Sequence, residues 1–193
     1  QEVTRAQRYG QPLSCLFVDA DHFKRINDVH GHACGDQVLT ALAQRLRTRL
    51  RSSDLPTRYG GEEFAILLPQ TDAGNARCLA QDICEGIAAE PVTLETGEQI
   101  KITVSIGVAA MSDVNAGSSR ETGEALLQAA DVAVYRAKEA GRNCVVDVAD
   151  DACSRRLTRK SLPSGFVRIN KMYMSLFLFD RMSHKRPPDQ TPC

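Results

Sequence analysis

The stretch Arg58-Tyr-Gly-Gly-Glu-Glu-Phe-Ala-Ile-Leu-Leu-Pro69 constrains the chain more than any other. Two adjacent glycines, Gly60 and Gly61, separate Thr57–Tyr59 from the apolar run Phe64–Leu68, which is the pattern of a β-hairpin. Glycines are expected there in left-handed backbone, which a residue without Cβ adopts freely. The turn lifts two carboxylates, Glu62 and Glu63, onto the lip of a buried strand. Adjacent acids in such a place are unfavourable unless a cation answers them, and a divalent metal carrying nucleotide phosphates fits that need. For the tetrapeptide alone, a surface hairpin with two solvated glutamates is the simpler explanation. The rest of the chain has to decide.

A second acidic strand end lies upstream. Leu13–Val18 is a near-continuous apolar run, read as a strand buried on both faces, and it ends in Asp19-Ala20-Asp21. One Asp there is ordinary turn chemistry. Two alternating carboxylates followed by a short segment, His22–Asp28, set potential metal ligands beside free backbone N–H groups that favour phosphate. Val29–Gly35 is expected as a glycine-punctuated loop, with a helix from about Asp36 to Arg51 burying Val38, Leu39, Leu42 and Leu46. His30 and His32 fall in that loop with no Cys or third His nearby, so they read as structural or exposed.

Further along, apolar periodicity predicts helices over about Ala73–Ala89 (stripe Ala76, Leu79, Ala80, Ile83, Ile87) and Thr122–Ala140, the latter stopped by Gly141. Val92–Leu94 and Gln99–Ile102 flank a turn, Ile102–Val108 is a strong strand, and Cys144–Val148 closes the set. Residues 1–10 have helical composition up to Gly10 and read as the end of a truncated helix. The order β, α, hairpin, α, hairpin, β, α, β is that of an α+β, palm-like fold: a mixed or antiparallel-rich central sheet with helices packed on one side. No glycine-rich loop of Walker or Rossmann spacing occurs.

At 193 residues the chain suits one domain, expected over 11–148, with an appendage at 149–193. Net charge is zero, which argues against a nucleic-acid partner. Residues 152–193 nevertheless hold nine Lys/Arg and two Asp/Glu, and include the apolar cluster Met172–Phe179. That segment reads as a poorly ordered extension or as sequence added to the domain artificially. Seven scattered cysteines without a Cys-x-x-Cys pair suggest neither a zinc site nor a disulfide framework. A reducing cytosol follows, with the parent protein free to be membrane-attached.

Taken together, five stretches resemble the GGDEF domain of diguanylate cyclases: Phe17-Val-Asp-Ala-Asp-His-Phe-Lys-Arg-Ile-Asn-Asp28, Gly31-His-Ala-Cys-Gly-Asp36, Arg58-Tyr-Gly-Gly-Glu-Glu-Phe64, Val104-Ser-Ile-Gly-Val108 and Ala130-Asp-Val-Ala-Val-Tyr-Arg-Ala-Lys-Glu-Ala-Gly-Arg-Asn143. They cover roughly residues 10 to 148 in the family's order, and Gly-Gly-Glu-Glu-Phe is one of the two common active forms of its signature.

The resemblance implies condensation of two GTP molecules into cyclic di-GMP and two pyrophosphates at a homodimer interface, one GTP per domain. It implies Mg²⁺, with Mn²⁺ as an alternative, held by Asp19, the carbonyl of Ala20 and Glu62, with Glu63 as the second signature acid acting on the metal or the 3′-hydroxyl. Asn27 and Asp36 match the pair that reads guanine. Phosphates are expected over the His22 and Phe23 N–H groups, held by Lys138 and Arg142, whose i, i+4 spacing would let both reach one anion. Arg51 and Asp54 match the Arg-x-x-Asp site at which cyclic di-GMP inhibits, although the Arg that often supplements it is absent near Asp82. An N-terminal sensor domain is expected in the parent protein. The alternative is a catalytically idle domain that binds GTP or cyclic di-GMP as a sensor.

Overall fold

Strand β1 (Leu13–Ala20) is buried at every position, as its uninterrupted apolar run demands. The computed structural model describes residues 1–114 and 117–149; the cluster Met172–Phe179 and nearly all of the expected extension lie outside the described residues. β1 is the middle of a five-stranded sheet of order β2-β3-β1-β6-β7, with β2 at Leu55–Arg58, β3 at Glu63–Pro69, β6 at Val104–Ala110 and β7 at Val145–Asp147. All pairings are antiparallel except β6 with β7. A short hairpin, β4 (Val92–Thr93) with β5 (Gln99–Ile100), stands apart and turns through Gly97 at φ 84°.

Alternation along β1 divides the core in two. Leu16, Val18 and Ala20 join Phe64, Ile66, Leu68, Val104 and Ile106 in a cluster completed by helices α2 (Phe23–His30), α3 (His32–Arg49) and α4 (Ala73–Ala89). Leu13, Cys15 and Phe17 point the other way, against Ala6 of α1 (Glu2–Tyr9) and Leu126, Ala130 and Val134 of α5 (Ser119–Glu139). Helices therefore cover both faces, whereas the sequence reading put them on one. The cause lies in strands apolar on both sides, which need two covers.

Several local expectations shift for physical reasons. α3 begins at His32, about one turn earlier than read, because Gly31 (φ 84°, ψ 162°) is the true break. Gly35 lies inside the helix, since a Cβ there would overlap Asn27 Oδ1 and sit 3.0 Å from the Phe23 ring. His30 and His32 are accordingly helical termini and not loop residues. Leu79 is only partly buried. Cys15 and Cys84 are buried thiols, pushed up by burial to about 12 and about 11. No described helix is long and apolar enough to cross a membrane.

The tightest joint is between α5 and β6. A Cβ on Gly107 would overlap the Ala130 carbonyl oxygen and come within 2.5 Å of the Val134 nitrogen, both backbone atoms. Gly107→Ala is expected to destabilise the domain by about 2 kcal/mol or more by pushing the helix off the sheet. Urea denaturation reads this as a lowered midpoint at unchanged slope.

Candidate functional site

The end of β1 and the start of β3 meet in register, Asp19 opposite Glu63. The Ala20 N–H donates to the Glu62 carbonyl at 3.2 Å, so Asp19, Ala20, Glu62 and Glu63 form one rim. The turn before it differs from expectation. Neither Gly60 nor Gly61 has a positive φ; a Cβ on Gly60 would meet the flexible end of the Glu63 side chain and make it shift, while Gly61 faces open space. The Glu63 carbonyl accepts from the N–H groups of Tyr59 (2.8 Å) and Gly60 (3.3 Å). Arg58 donates from Nη2 to the Gly61 carbonyl at 2.6 Å and from Nε to both glycine carbonyls at 3.2 Å. Glycine serves room here, not handedness.

The two aspartates at the β1 end have different jobs. Asp21 is saturated: it accepts from Thr103 Oγ1 and Ser105 Oγ at 2.7 Å each and from the Asn143 N–H at 3.0 Å. It thereby ties the β6 end and the 141–143 turn to β1. Asp19 is 3% exposed and pairs with Lys138 Nζ at 2.6 Å. Burial pushes the Asp19 carboxyl above its ordinary value, with Lys138 opposing and Asp21 adding. Burial and then the charge of Asp19 raise Glu62, again against Lys138. Glu63 is raised by burial, by Asp19, by Asp131 and by Glu62, with Lys138 opposing.

Asp131 is the residue that motif reading missed. It lies within the quoted α5 motif, is raised by burial and by Asp19, and is held down by Lys138. Four carboxylates thus share one ammonium. The signal was available in the seven-residue spacing from Asp131 to Lys138, two helical turns on one face.

Arg142 reaches the site by another route than the one read from its spacing. α5 ends at Glu139, and Arg142 follows in a left-handed turn (φ 64°) after Gly141 (φ 119°). It is no helical i+4 partner of Lys138, although its charge favours ionised Asp19. His22 is left-handed at φ 57° and precedes α2, so the Phe23 end of the helix opens beside Asp21. Asn27 sits against Gly35, and its buried Oδ1 finds no partner among the described residues. Asp36, the next residue on α3, is exposed. An unfilled buried acceptor next to a free carboxylate suits a ligand rich in N–H donors.

Arg51 and Asp54 lie apart from this rim, in the turn between α3 and β2. The Asp54 carboxylate accepts from the Arg51 backbone N–H at 2.8 Å and Asp54 N–H returns a bond to the Arg51 carbonyl at 3.0 Å. The Arg51 side chain is left exposed. Asp82 of α4 faces this end of α3, paired with Arg49 Nε at 3.3 Å.

Among the described residues no three His, Cys, Asp or Glu side chains form a ready-made metal cage. That is compatible with Mg²⁺, which takes one or two carboxylates and completes its shell with water and substrate phosphates. The rim already holds a cation, the Lys138 ammonium on buried Asp19, so its field suits positive charge.

Residues 1–144 match the family described as "Diguanylate cyclase, GGDEF domain". The response regulator PleD of Caulobacter vibrioides is 46% identical over 145 residues, which are 75% of this chain and 31% of PleD. The chain thus spans under a third of that relative's length. Among solved structures, the GGDEF domain of YfiN (TpbB) from Pseudomonas aeruginosa is similar at a TM-score of 0.70 and 37% identity, over 76% of this chain and 88% of that one. The GGDEF domain of DgcB from Caulobacter crescentus, solved with c-di-GMP, gives 0.68 at 30% identity, over 76% and 84%.

Carboxyls raised by burial hold their protons more tightly in the folded state. Their contribution to stability therefore falls as pH rises from the ordinary carboxylate range through the raised folded values. Lys138→Ala removes the cation that opposes this. Its loss is expected to cost about 2 kcal/mol at neutral pH, less than a fully buried pair because Lys138 is partly exposed. The loss shrinks at acidic pH, where Asp19 is protonated and no longer needs the cation. Urea denaturation at both pH values checks it; equal losses would mean Lys138 contributes packing and not charge.

Proposed function

The chain belongs to the diguanylate cyclase GGDEF family, and from that membership we propose that it joins two GTP molecules into cyclic di-GMP and two pyrophosphates. The observation that carries the reading is the acid rim of Asp19, Glu62 and Glu63 around Lys138, on the signature positions of that family. The complex of DgcB with c-di-GMP supports the product class for a similar domain.

Each residue's part follows from its setting. Asp19, the Ala20 carbonyl and Glu62 would hold Mg²⁺ (Mn²⁺ as an alternative) together with the nucleotide phosphates. The metal supplies charge neutralisation at the α-phosphate and leaving pyrophosphate. Lys138, which pairs with Asp19 at the rim, would offer its ammonium to the phosphates, with Arg142 as a second cation. The N–H groups of His22 and Phe23 add donors at the start of α2. Asn27 Oδ1 accepts from the guanine amino group and Asp36 from the N1–H and N2–H₂ edge, a donor pair adenine lacks.

We assign the base role to Glu63, the second signature acid, which burial and the charges of Asp19, Asp131 and Glu62 raise above its ordinary value. It takes the proton of the 3′-hydroxyl while the 3′ oxygen bonds to the α-phosphorus of the facing GTP and the bond to pyrophosphate breaks. The attack must come from a second domain, since one site holds one GTP. The homodimer therefore belongs to the mechanism, and proximity supplies much of the rate. Product accumulating on Arg51 and Asp54 would hold the domains out of register. Arg51 is the freer of that pair, because Asp54 is committed to its own turn.

Incubation with GTP and Mg²⁺, followed by chromatography and mass detection of cyclic di-GMP, tests the reading. Product lost with EDTA is the expected result. GTP binding without product, even after fusion of a dimeric coiled coil to the N-terminus, would make the domain a sensor instead. Glu63→Gln is expected to lower kcat by about 10²-fold or more with little change in KM. Arg51→Ala is expected to straighten a progress curve that otherwise slows as product accumulates; an unchanged curve would reduce Arg51 to a surface charge.

A further inference from the structure

The β4–β5 hairpin stands outside the main sheet and takes no part in the rim chemistry, yet it is fastened to both helices that carry the base-reading pair. On α2, His30 lies one turn beyond Asn27, and its Nδ1 is 3.3 Å from Glu98 Oε1. On α3, Gln37 directly follows Asp36, and its Oε1 accepts from the Glu95 backbone N–H at 3.0 Å. Glu95 and Glu98 flank the hairpin turn, which is closed by the Leu94 N–H donating to the Glu98 carbonyl at 2.8 Å and by Gly97. Below it, Leu94, Ile100 and Ile102 are buried in the same cluster as Phe23, Ile26, Val38 and Leu39.

We propose that this hairpin is a clamp that sets the spacing of α2 and α3, with His30, Gln37 and Glu98 as positioning residues for guanine selection. The inference rests on the guanine role given to Asn27 and Asp36. Those helices touch through Gly35, where the Asn27 amide lies against a position that has no room for a side chain. Gly31 between them is a flexible break at φ 84°, so the joint alone does not fix their angle. Two polar ties from one turn, one to each helix, add to the shared apolar packing in holding that angle. Each tie is modest, being part-exposed, but they act on the separation of the two groups that must meet one base edge together. A clamp of this kind acts on binding and base choice and leaves the rim chemistry alone.

The test uses the full chain and calorimetry with a GTP analogue whose α–β bridging oxygen is replaced by a methylene, its inosine counterpart and Mg²⁺. The double variant Gln37→Ala/Glu98→Ala is expected to bind the guanine analogue roughly three- to tenfold more weakly, as loss of one or two such ties allows. Its preference for guanine over hypoxanthine should fall, because the exocyclic amino contact loosens first. The conservative pair Gln37→Glu/Glu98→Gln keeps an acceptor at each point and is expected to restore both values. Where product is assayed, KM for GTP should rise with kcat nearly unchanged. A double variant that melts lower yet binds and discriminates as the wild type does would overturn the clamp and leave a purely structural hairpin. Wild-type protein that binds GTP selectively but forms no product would refute the condensation reading while the clamp is still measured. Failure of the wild type to prefer guanine at all would overturn both.

Discussion

The contact on which the site depends is backbone against backbone. α5 lies on β6 at Gly107 so closely that no side chain fits between them. That approach brings the last turn of α5 over the end of β1, where Lys138 meets Asp19 at 2.6 Å. A wider joint would take the Lys138 ammonium away from buried Asp19. Since an isolated buried carboxylate neutralises or unfolds its surroundings, the small residue on β6 and the charge on α5 belong to one design. The same approach sets Asp131 beside Glu63, which completes the acid rim.

The rim holds more negative charge than one lysine answers, and its partial burial limits screening by water. Asp19, Glu62, Glu63 and Asp131 are all displaced upward, so each is a better proton acceptor and a more willing cation ligand than a surface acid. Asp21 stands two residues from Asp19 and is used differently. Its three short hydrogen bonds spend its lone pairs on Thr103, Ser105 and Asn143, so it serves as a strut for the 141–143 turn. Sequence alternation put these two aspartates side by side as equals. Their neighbours separate them, because Thr103 and Ser105, before and within β6, supply hydroxyls to one and α5 supplies an ammonium to the other.

Much of this was legible in the chain. The buried run of β1, the stripes of α3, α4 and α5, and the order of elements follow from apolar periodicity, and the motif positions named Asp19, Glu62, Glu63, Asn27, Asp36 and Lys138. What escaped was glycine used for clearance. Gly35 read as loop punctuation and Gly60 as a left-handed turn residue, but both keep a Cβ out of a neighbouring side chain, Asn27 and Glu63 respectively. Clearance depends on which element arrives from elsewhere in the chain, and local propensity carries no record of that. The two-sided cover of the sheet was missed for the same reason, since strand patterns show that both faces are apolar without showing what covers each.

The same logic explains why the guanine-reading role proposed for Asn27 and Asp36 needs outside help when the rim does not. At the rim, positions are set by a strand register, Asp19 opposite Glu63, and by an ion pair at 2.6 Å. Asn27 and Asp36 instead sit on two short-range neighbours joined through Gly31, with a buried Asn27 oxygen left unbonded. A glycine joint leaves the relative angle of two helices soft, and an unbonded acceptor adds no restraint of its own. Fixing that angle takes contacts from a third element, and among the described residues the polar ties that reach both helices from one turn are those of the β4–β5 hairpin. On the proposed roles, base choice and phosphoryl chemistry would be held by separate parts of the fold, so that one could be altered without disturbing the other.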